Sequence, residues 1–117
     1  MRLKEEKSKK ELQARYRERE IVGGIYAIRN TLSNKILLEA TSDLQGRRNR
    51  FEFSQKTGSC IHLKLQNDWN TQGGGEFVFE VLEELVKGDT QTEKAFKADI
   101  DVLKEMWLEK LSDNDLY

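Results

Sequence analysis

The pattern of apolar and polar positions predicts a β-hairpin followed later in the chain by a third strand. Residues 25–29 and 35–41 are rich in Ile, Leu and Ala, and the segment between them, residues 30–34, is rich in turn-forming Asn, Ser and Thr. Residues 77–82 form the clearest strand, because β-branched and aromatic side chains dominate it. The first two strands are close enough in sequence to pair antiparallel.

Two helices are predicted between the hairpin and the third strand. Ser42 with Gln45 fits a capping box and opens a helix that continues to about Phe53. Gly46 weakens the start of that helix, because glycine costs about 1 kcal/mol relative to alanine inside a helix. The second helix is expected at about residues 61–69, with three candidate inward-facing residues: Leu63, Leu65 and Trp69.

A long helix is predicted after the third strand. Thr90 with Glu93 fits a second capping box. Beyond it, apolar residues recur every three or four positions and indicate one buried face: Phe96, Ile100, Leu103, Trp107 and Leu111. The order strand, strand, helix, helix, strand, helix predicts an α+β fold, in which a small three-stranded antiparallel sheet is flanked by helices.

The predicted domain is preceded by a charged segment. Residues 1–22 are mostly Lys, Arg and Glu, and these residue types favour an extra N-terminal helix. Two interpretations stay open: a solvated helix, or a basic arm that contacts phosphates or a partner. We therefore divide the chain into this helix or arm, one domain over residues 23–112, and a C-terminal tail over residues 113–117.

Composition narrows the class of protein without identifying it. Charged residues make up 35% of the chain, yet the formal net charge is −1, so bulk charge does not indicate a nucleic-acid partner. The single cysteine, Cys60, rules out an internal disulfide, and with one histidine in the chain no Cys/His cluster suggests structural zinc. No apolar run approaches the ~20 residues of a membrane span. We expect a soluble cytoplasmic protein that does not enter the membrane.

Several motifs occur in an order that resembles one family. Gly24-Ile25-Tyr26 begins the first strand, Asn34-Lys35 leads into the second, and Asp43-Leu44 is followed by Arg47 in the first helix. Together with the later elements this set resembles the GIY-YIG nucleases over residues 23 to 111. The resemblance implies the same α+β fold and divalent-metal-dependent cleavage of DNA phosphodiester bonds.

The resemblance implies roles for particular residues. Tyr26 matches the first hallmark tyrosine, which helps to deprotonate or position the attacking water. Arg47 matches the helix arginine, which neutralises charge on the phosphoryl oxygens. These two are the candidate catalytic residues. The alternative for Tyr26 is a half-buried strand aromatic without a catalytic role, and the alternative for Arg47 is an exposed charge on the helix. Three further cations are candidate contacts to DNA phosphates: Lys35, Arg48 and Arg50.

Four positions depart from the family pattern. Leu37 stands at the second hallmark tyrosine, Glu39 at the hallmark glycine, and Phe51 near the family's helix histidine. Lys104 stands where the resemblance puts the metal-binding carboxylate. A protonated lysine offers no lone pair and repels a divalent ion by about 4 kcal/mol per unit-charge pair at an effective dielectric constant of about 20. We therefore predict no metal site at the family position.

Three hypotheses for function follow from these matches and departures. The first is a catalytically impaired GIY-YIG-like domain that binds DNA. The second is an active endonuclease using Mg²⁺ or Mn²⁺ on displaced carboxylates: Glu39, Glu93, Asp101 or Glu105. The third is a protein-interaction module that does not touch nucleic acid. His62 and Cys60 are interpreted as residues without a role in the site, and the oligomeric state stays open.

Overall fold

A computed structural model describes residues 20–60 and 62–117, and their elements follow the predicted order. The bounds are β1 (Val22–Asn30), β2 (Ile36–Thr41), α1 (Leu44–Thr57), α2 (Gln66–Gln72), β3 (Phe77–Val86) and α3 (Glu93–Lys110). Short 3₁₀ turns precede α2 and β3. The predicted N-terminal helix lies almost wholly outside the described residues. Within them, no helix is both long and apolar enough to cross a membrane.

The three strands form one antiparallel sheet in the order β2-β1-β3, so β1 is the central strand. Successive side chains of a strand point to opposite faces. Tyr26 and Ile28 therefore lie on the face that α1 and α2 cover, while Ile25 belongs to the core on the face that α3 covers. The α+β fold expected from the pattern of elements is confirmed.

Each face of the sheet carries its own apolar core. The buried residues of the larger core are Tyr26, Ile28, Leu37, Leu44, Phe51, Leu65, Trp69 and Phe77. On the opposite face the buried residues are Ile25, Leu38, Phe96 and Ile100. The predicted inward stripe of the last helix is confirmed, since Leu103, Trp107 and Leu111 pack against this second core.

The N-caps of α1 and α3 each lie one or two residues after the predicted ones. Asp43, rather than Ser42, caps α1, and its carboxylate accepts a hydrogen bond from the Gly46 amide at 3.0 Å. A Cβ on Gly46 would collide with that carboxylate, so the glycine makes room for the cap. Thr92, rather than Thr90, caps α3 through a 3.1 Å hydrogen bond from the Ala95 amide.

The second helix differs most from its prediction. A 3₁₀ turn over Leu63–Leu65 comes first, and α2 then extends three residues past Trp69. Leu65 and Trp69 are buried as expected, but Leu63 is 92% exposed and the expectation that it faces inward is wrong. The eclipsed side chains of a 3₁₀ turn explain the error, because they do not follow the helical period of 3.6.

A buried asparagine fixes the end of the hairpin. Asn30 is fully buried, and its side-chain amide donates to Gln72 Oε1 at 2.7 Å and to the Tyr117 hydroxyl at 2.9 Å. That hydroxyl donates in turn to Asp68 Oδ2 at 2.6 Å. The backbone of the tail also bridges to β2, where the Tyr117 amide donates to the Ile36 carbonyl at 2.9 Å. The hairpin, α2 and the C-terminal residues are thus held together.

The first hallmark residue is a glycine because the neighbouring strand lies too close for a side chain. Gly24 has φ of 147°, and a Cβ there would collide with the carbonyl oxygen of Glu83. The register between β1 and β3 shifts at the next step, between Ile25 and Tyr26. Gly24 therefore permits β3 to lie close to β1 beside the bulge, where Leu82 of β3 is the extra residue.

We predict that Gly24→Ala destabilises the domain by about 2 kcal/mol or more, since it combines backbone strain with a backbone collision. Gly75→Ala is the matched control, because nothing lies within 4 Å of its added Cβ. Urea unfolding followed by circular dichroism measures both variants. Equal stabilities for the two variants would contradict the assigned role of Gly24.

Candidate nucleic-acid interface

Tyr26 lies at the centre of the candidate site but is enclosed by its neighbours. The residue is 2% exposed, and its ring stacks on Phe79 with 4.7 Å between the centroids. Burial raises the pKa of the Tyr26 hydroxyl; Arg47 and Arg50 oppose the rise and Glu39 adds to it. The hydroxyl therefore stays protonated at neutral pH and can donate a hydrogen bond, but it is not a ready base.

Arg47 is directed toward the sheet by the packing of its helix. At about 100° per residue it falls between Phe51 and Ser54 on the helical wheel, and both of those residues are buried. Arg47 is half-buried, and its charge and that of Arg50 act on the pKa of Tyr26. Neither guanidinium is held by a carboxylate within 4.0 Å or by a side-chain hydrogen bond among the described residues. Both cations are thus available to an external anion.

The other two predicted phosphate contacts lie in different surroundings. The guanidinium of Arg48 stands over the Phe79 ring, 5.4 Å from its centroid. The ammonium of Lys35 stands 5.5 Å from the centroid of the Tyr117 ring. Lys35 is four residues before Glu39, the partner of Tyr26, which is about 13 Å along an extended strand. The structure groups Arg47 and Arg50 with Tyr26, while Lys35 marks the far end of the hairpin.

His62 joins this group although periodicity indicated no role for it. Its Nε2 atom is buried and has no hydrogen-bond partner among the described residues. Burial lowers the pKa of the imidazole; Glu39 opposes the change, and Arg47 and Arg50 reinforce it. The irregular backbone before Leu63 places His62 near these charges. The only sequence signal was that the chain has a single histidine.

Two departures from the family pattern have become part of the core. Leu37 is 2% exposed and packs in the same core as Tyr26. Phe51 is 3% exposed and meets the Trp69 ring edge-on at a centroid distance of 6.2 Å. Apolar packing thus replaces the hydroxyl and the imidazole that the resemblance would place there.

The other two departures from the family pattern, Glu39 and Lys104, form an ion pair. The Lys104 ammonium lies 3.9 Å from the Glu39 carboxylate, and the two side chains are 35% and 30% exposed. Glu39 is also the residue directly opposite Tyr26 in the β1–β2 register. A lysine and its ion-paired glutamate do not form a donor set for a divalent cation. In residues 20–60 and 62–117, no three His, Cys, Asp or Glu side chains converge as metal ligands either.

Comparisons with known proteins identify the same fold. Neither a scan of protein-family models nor a search of curated proteins gives a match. Among solved structures, the catalytic domain of the homing endonuclease I-TevI is similar, with 28% identity and a TM-score of 0.59, over 81% of this chain and 95% of that one. A glutamate-to-alanine mutant of that domain, described as an intron endonuclease, has the same identity and TM-score, over 83% and 92%.

I-TevI is a GIY-YIG nuclease, and the similarity spans nearly its whole catalytic domain. The resemblance that the hallmark residues indicated is therefore confirmed, and the chain has the fold of the GIY-YIG nucleases. Fold and family do not by themselves establish an activity, because function depends on the residues of the site.

We predict that the His62 imidazole titrates below its usual value of about 6.5, since burial disfavours its charged form. The unfolded chain then binds the proton more readily than the folded chain. Stability should accordingly fall as the pH drops below about 6.5 toward the folded-state pKa, and level off beneath it. Two-dimensional NMR of the imidazole gives the pKa directly, because the chain has one histidine.

His62→Gln is the control for the stability measurement, since glutamine cannot titrate. The loss of stability between pH 7 and pH 5 should be smaller in this variant than in the wild type. An imidazole pKa at or above the ordinary value would contradict the enclosed position of His62.

Proposed function

We propose that this chain is a GIY-YIG nuclease-like domain that binds DNA phosphates and has lost metal-dependent hydrolysis. The observation that carries the proposal is the set of groups around Tyr26. Two arginines without an ion-pair partner among the described residues act on a protonated hydroxyl, and the resemblance puts a lysine at the position of the metal-binding acid. These groups can hold a phosphate but supply no activated water.

Each group has a defined part in holding a phosphate. Arg47, half-buried and directed at the sheet, can present two N–H donors to one phosphate oxygen pair. The Tyr26 hydroxyl stays protonated, so it can donate to a phosphate oxygen that reaches this enclosed position. Arg50, exposed one turn further along α1, can neutralise the neighbouring phosphate. Contacts of this kind fix position without reading sequence.

The same residues argue against efficient hydrolysis. Because burial raises the pKa of Tyr26, its hydroxyl is protonated at neutral pH and the phenolate that could take a proton from water is not populated. Leu37 offers no second hydroxyl, and Lys104 repels a divalent ion instead of binding it. The carboxylates that could replace it on α3 are exposed and spread along the helix: Glu93, Asp101 and Glu105. We therefore derive no step through a bound metal.

Similarity supports DNA as the polymer. The related domain of known structure belongs to a protein described as a homing endonuclease, and the likeness covers more than four-fifths of this chain. The predicted basic arm would add contacts to the same polymer if it binds phosphates, and that role stays a prediction. A cytoplasmic location also stays a prediction.

We predict that Arg47→Ala weakens binding to a labelled DNA duplex by about five- to tenfold near 0.1 M salt. Removing one phosphate contact should also reduce the slope of log affinity against log salt by about 0.9. Fluorescence anisotropy across a salt series measures both quantities. Lys56→Ala is the control on the same helix, because Lys56 is an exposed cation in the last turn of α1.

An equal effect of the two substitutions would contradict a specific role for Arg47. No binding by the wild type even at low salt would overturn the proposal and leave the protein-interaction hypothesis.

We also predict that supercoiled plasmid stays intact when it is incubated with the wild type and Mg²⁺ or Mn²⁺. Nicking that is abolished both by EDTA and by Arg47→Ala would show that displaced carboxylates still support catalysis. In that case the domain would be an active endonuclease, and the proposal that it has lost metal-dependent hydrolysis would be wrong.

A further inference from the structure

Glu39 and Lys104, two of the four departures from the family pattern, form an ion pair at the edge of the candidate site. Among the described residues, ion pairs within 4.0 Å are formed by Lys104 with Glu39 and by Arg29 with Glu80. Lys104 therefore has a specific partner on another element, although Asp101 lies one turn before it on the same helix. This choice places the ammonium at the edge of the hairpin, against the residue that pairs with Tyr26 across the strands.

We propose that Lys104 is a phosphate-binding residue that Glu39 holds in the free protein and releases to DNA. This inference rests on the proposed function. In it, the Lys104 ammonium supplies the positive charge that the metal ion is expected to supply in the family. Binding of DNA then needs no divalent cation, and Glu39 lowers the affinity by competing for the lysine.

The geometry of the pair suits such an exchange. The 3.9 Å separation of Lys104 Nζ and Glu39 Oε2 is an ion pair without a hydrogen bond, so Glu39 does not occupy the N–H donors of the ammonium. Both side chains are about one-third exposed, and water screens such a pair. A phosphate oxygen can offer the shorter charge-assisted hydrogen bond that the carboxylate does not form.

Position along the hairpin connects this pair to the arginines. Glu39 stands opposite Tyr26, and side chains in such a cross-strand pair have Cβ atoms about 5 Å apart. The charge of Glu39 acts on the pKa values of both Tyr26 and His62, as do those of Arg47 and Arg50. Glu39 therefore links the ammonium, at the edge of β2, to the groups that the two guanidinium charges act on.

The charge balance favours a phosphate more than a metal. Arg47 and Arg50 act on Tyr26 and His62, and Lys104 stands beside Glu39 at the edge of β2. With the one negative charge of Glu39, the two arginines and the lysine carry a net charge of plus two. A divalent cation would add to this excess, whereas a phosphate anion reduces it. Neutralising Glu39 should make the surface more attractive to DNA.

The test compares opposite substitutions in the pair. Anisotropy of a labelled DNA duplex is measured for the wild type, Lys104→Gln and Glu39→Gln, with and without EDTA at fixed ionic strength. Lys104→Gln should weaken binding by about five- to tenfold near 0.1 M salt and reduce the salt slope by about 0.9. Glu39→Gln should tighten binding by about threefold, and EDTA should leave the wild-type affinity unchanged.

Two further variants separate position from bulk charge. Lys94→Gln removes the same charge from an exposed position in the first turn of α3 and should have little effect. Lys104→Arg keeps the charge and should retain most of the affinity. Circular dichroism confirms that each variant is folded.

The outcomes distinguish this inference from the function on which it rests. Equal losses for Lys104→Gln and Lys94→Gln, or weaker binding in Glu39→Gln, would overturn the role of the pair while Arg47-dependent binding stands. Loss of wild-type binding in EDTA would overturn it as well, because a metal would then be required. A wild type that binds no DNA would overturn both proposals together.

Discussion

The central strand β1 is the constraint on which the whole structure depends. It is hydrogen-bonded on both sides, and its residues Ile25–Ile28 are at most 3% exposed. Because alternate side chains point to opposite faces, Tyr26 has to enter the core beneath α1, while Ile25 anchors α3. The unbroken register between β1 and β2 fixes this choice, because a shift of one residue would turn every side chain to the wrong face.

The charged groups of the site take their positions from that strand. Register brings Glu39 opposite Tyr26, and the packing of α1 on the sheet brings Arg47 toward it. From the other face, α3 carries Lys104 to the edge of β2, where it meets Glu39. A surplus of cations around a hydroxyl that stays protonated is the basis of the proposal that this surface holds an anion. The chain has the fold of a nuclease, and we propose that its surface holds a phosphate without cutting beside it.

Much of this could be predicted from the sequence because the informative signals were local. The strands and the long amphipathic helix each depend on near neighbours, and the family fold was confirmed. The helix caps were wrong by one or two residues, since Ser42 and Asp43, or Thr90 and Thr92, satisfy similar patterns. Tertiary contact decided between them.

The composition of the site was less predictable, because it depends on residues far apart in sequence. The pairing of Glu39 with Lys104 joins a strand to a helix 65 residues later, and no periodicity reports such a contact. His62 was missed because a 3₁₀ turn replaced the expected start of a regular helix. Lys35 was a candidate phosphate contact, but it lies beside Tyr117, away from Tyr26.

The most direct test of the central claim is a titration of the ¹⁵N-labelled protein with Mn²⁺, followed by paramagnetic broadening of its amide signals. We predict no selective, saturable broadening at Tyr26, Glu39 or Lys104, because the Lys104 ammonium repels a divalent ion from this surface. Selective loss of those signals at low Mn²⁺ concentration, reversed by EDTA, would show that the site still holds a metal and would contradict the claim.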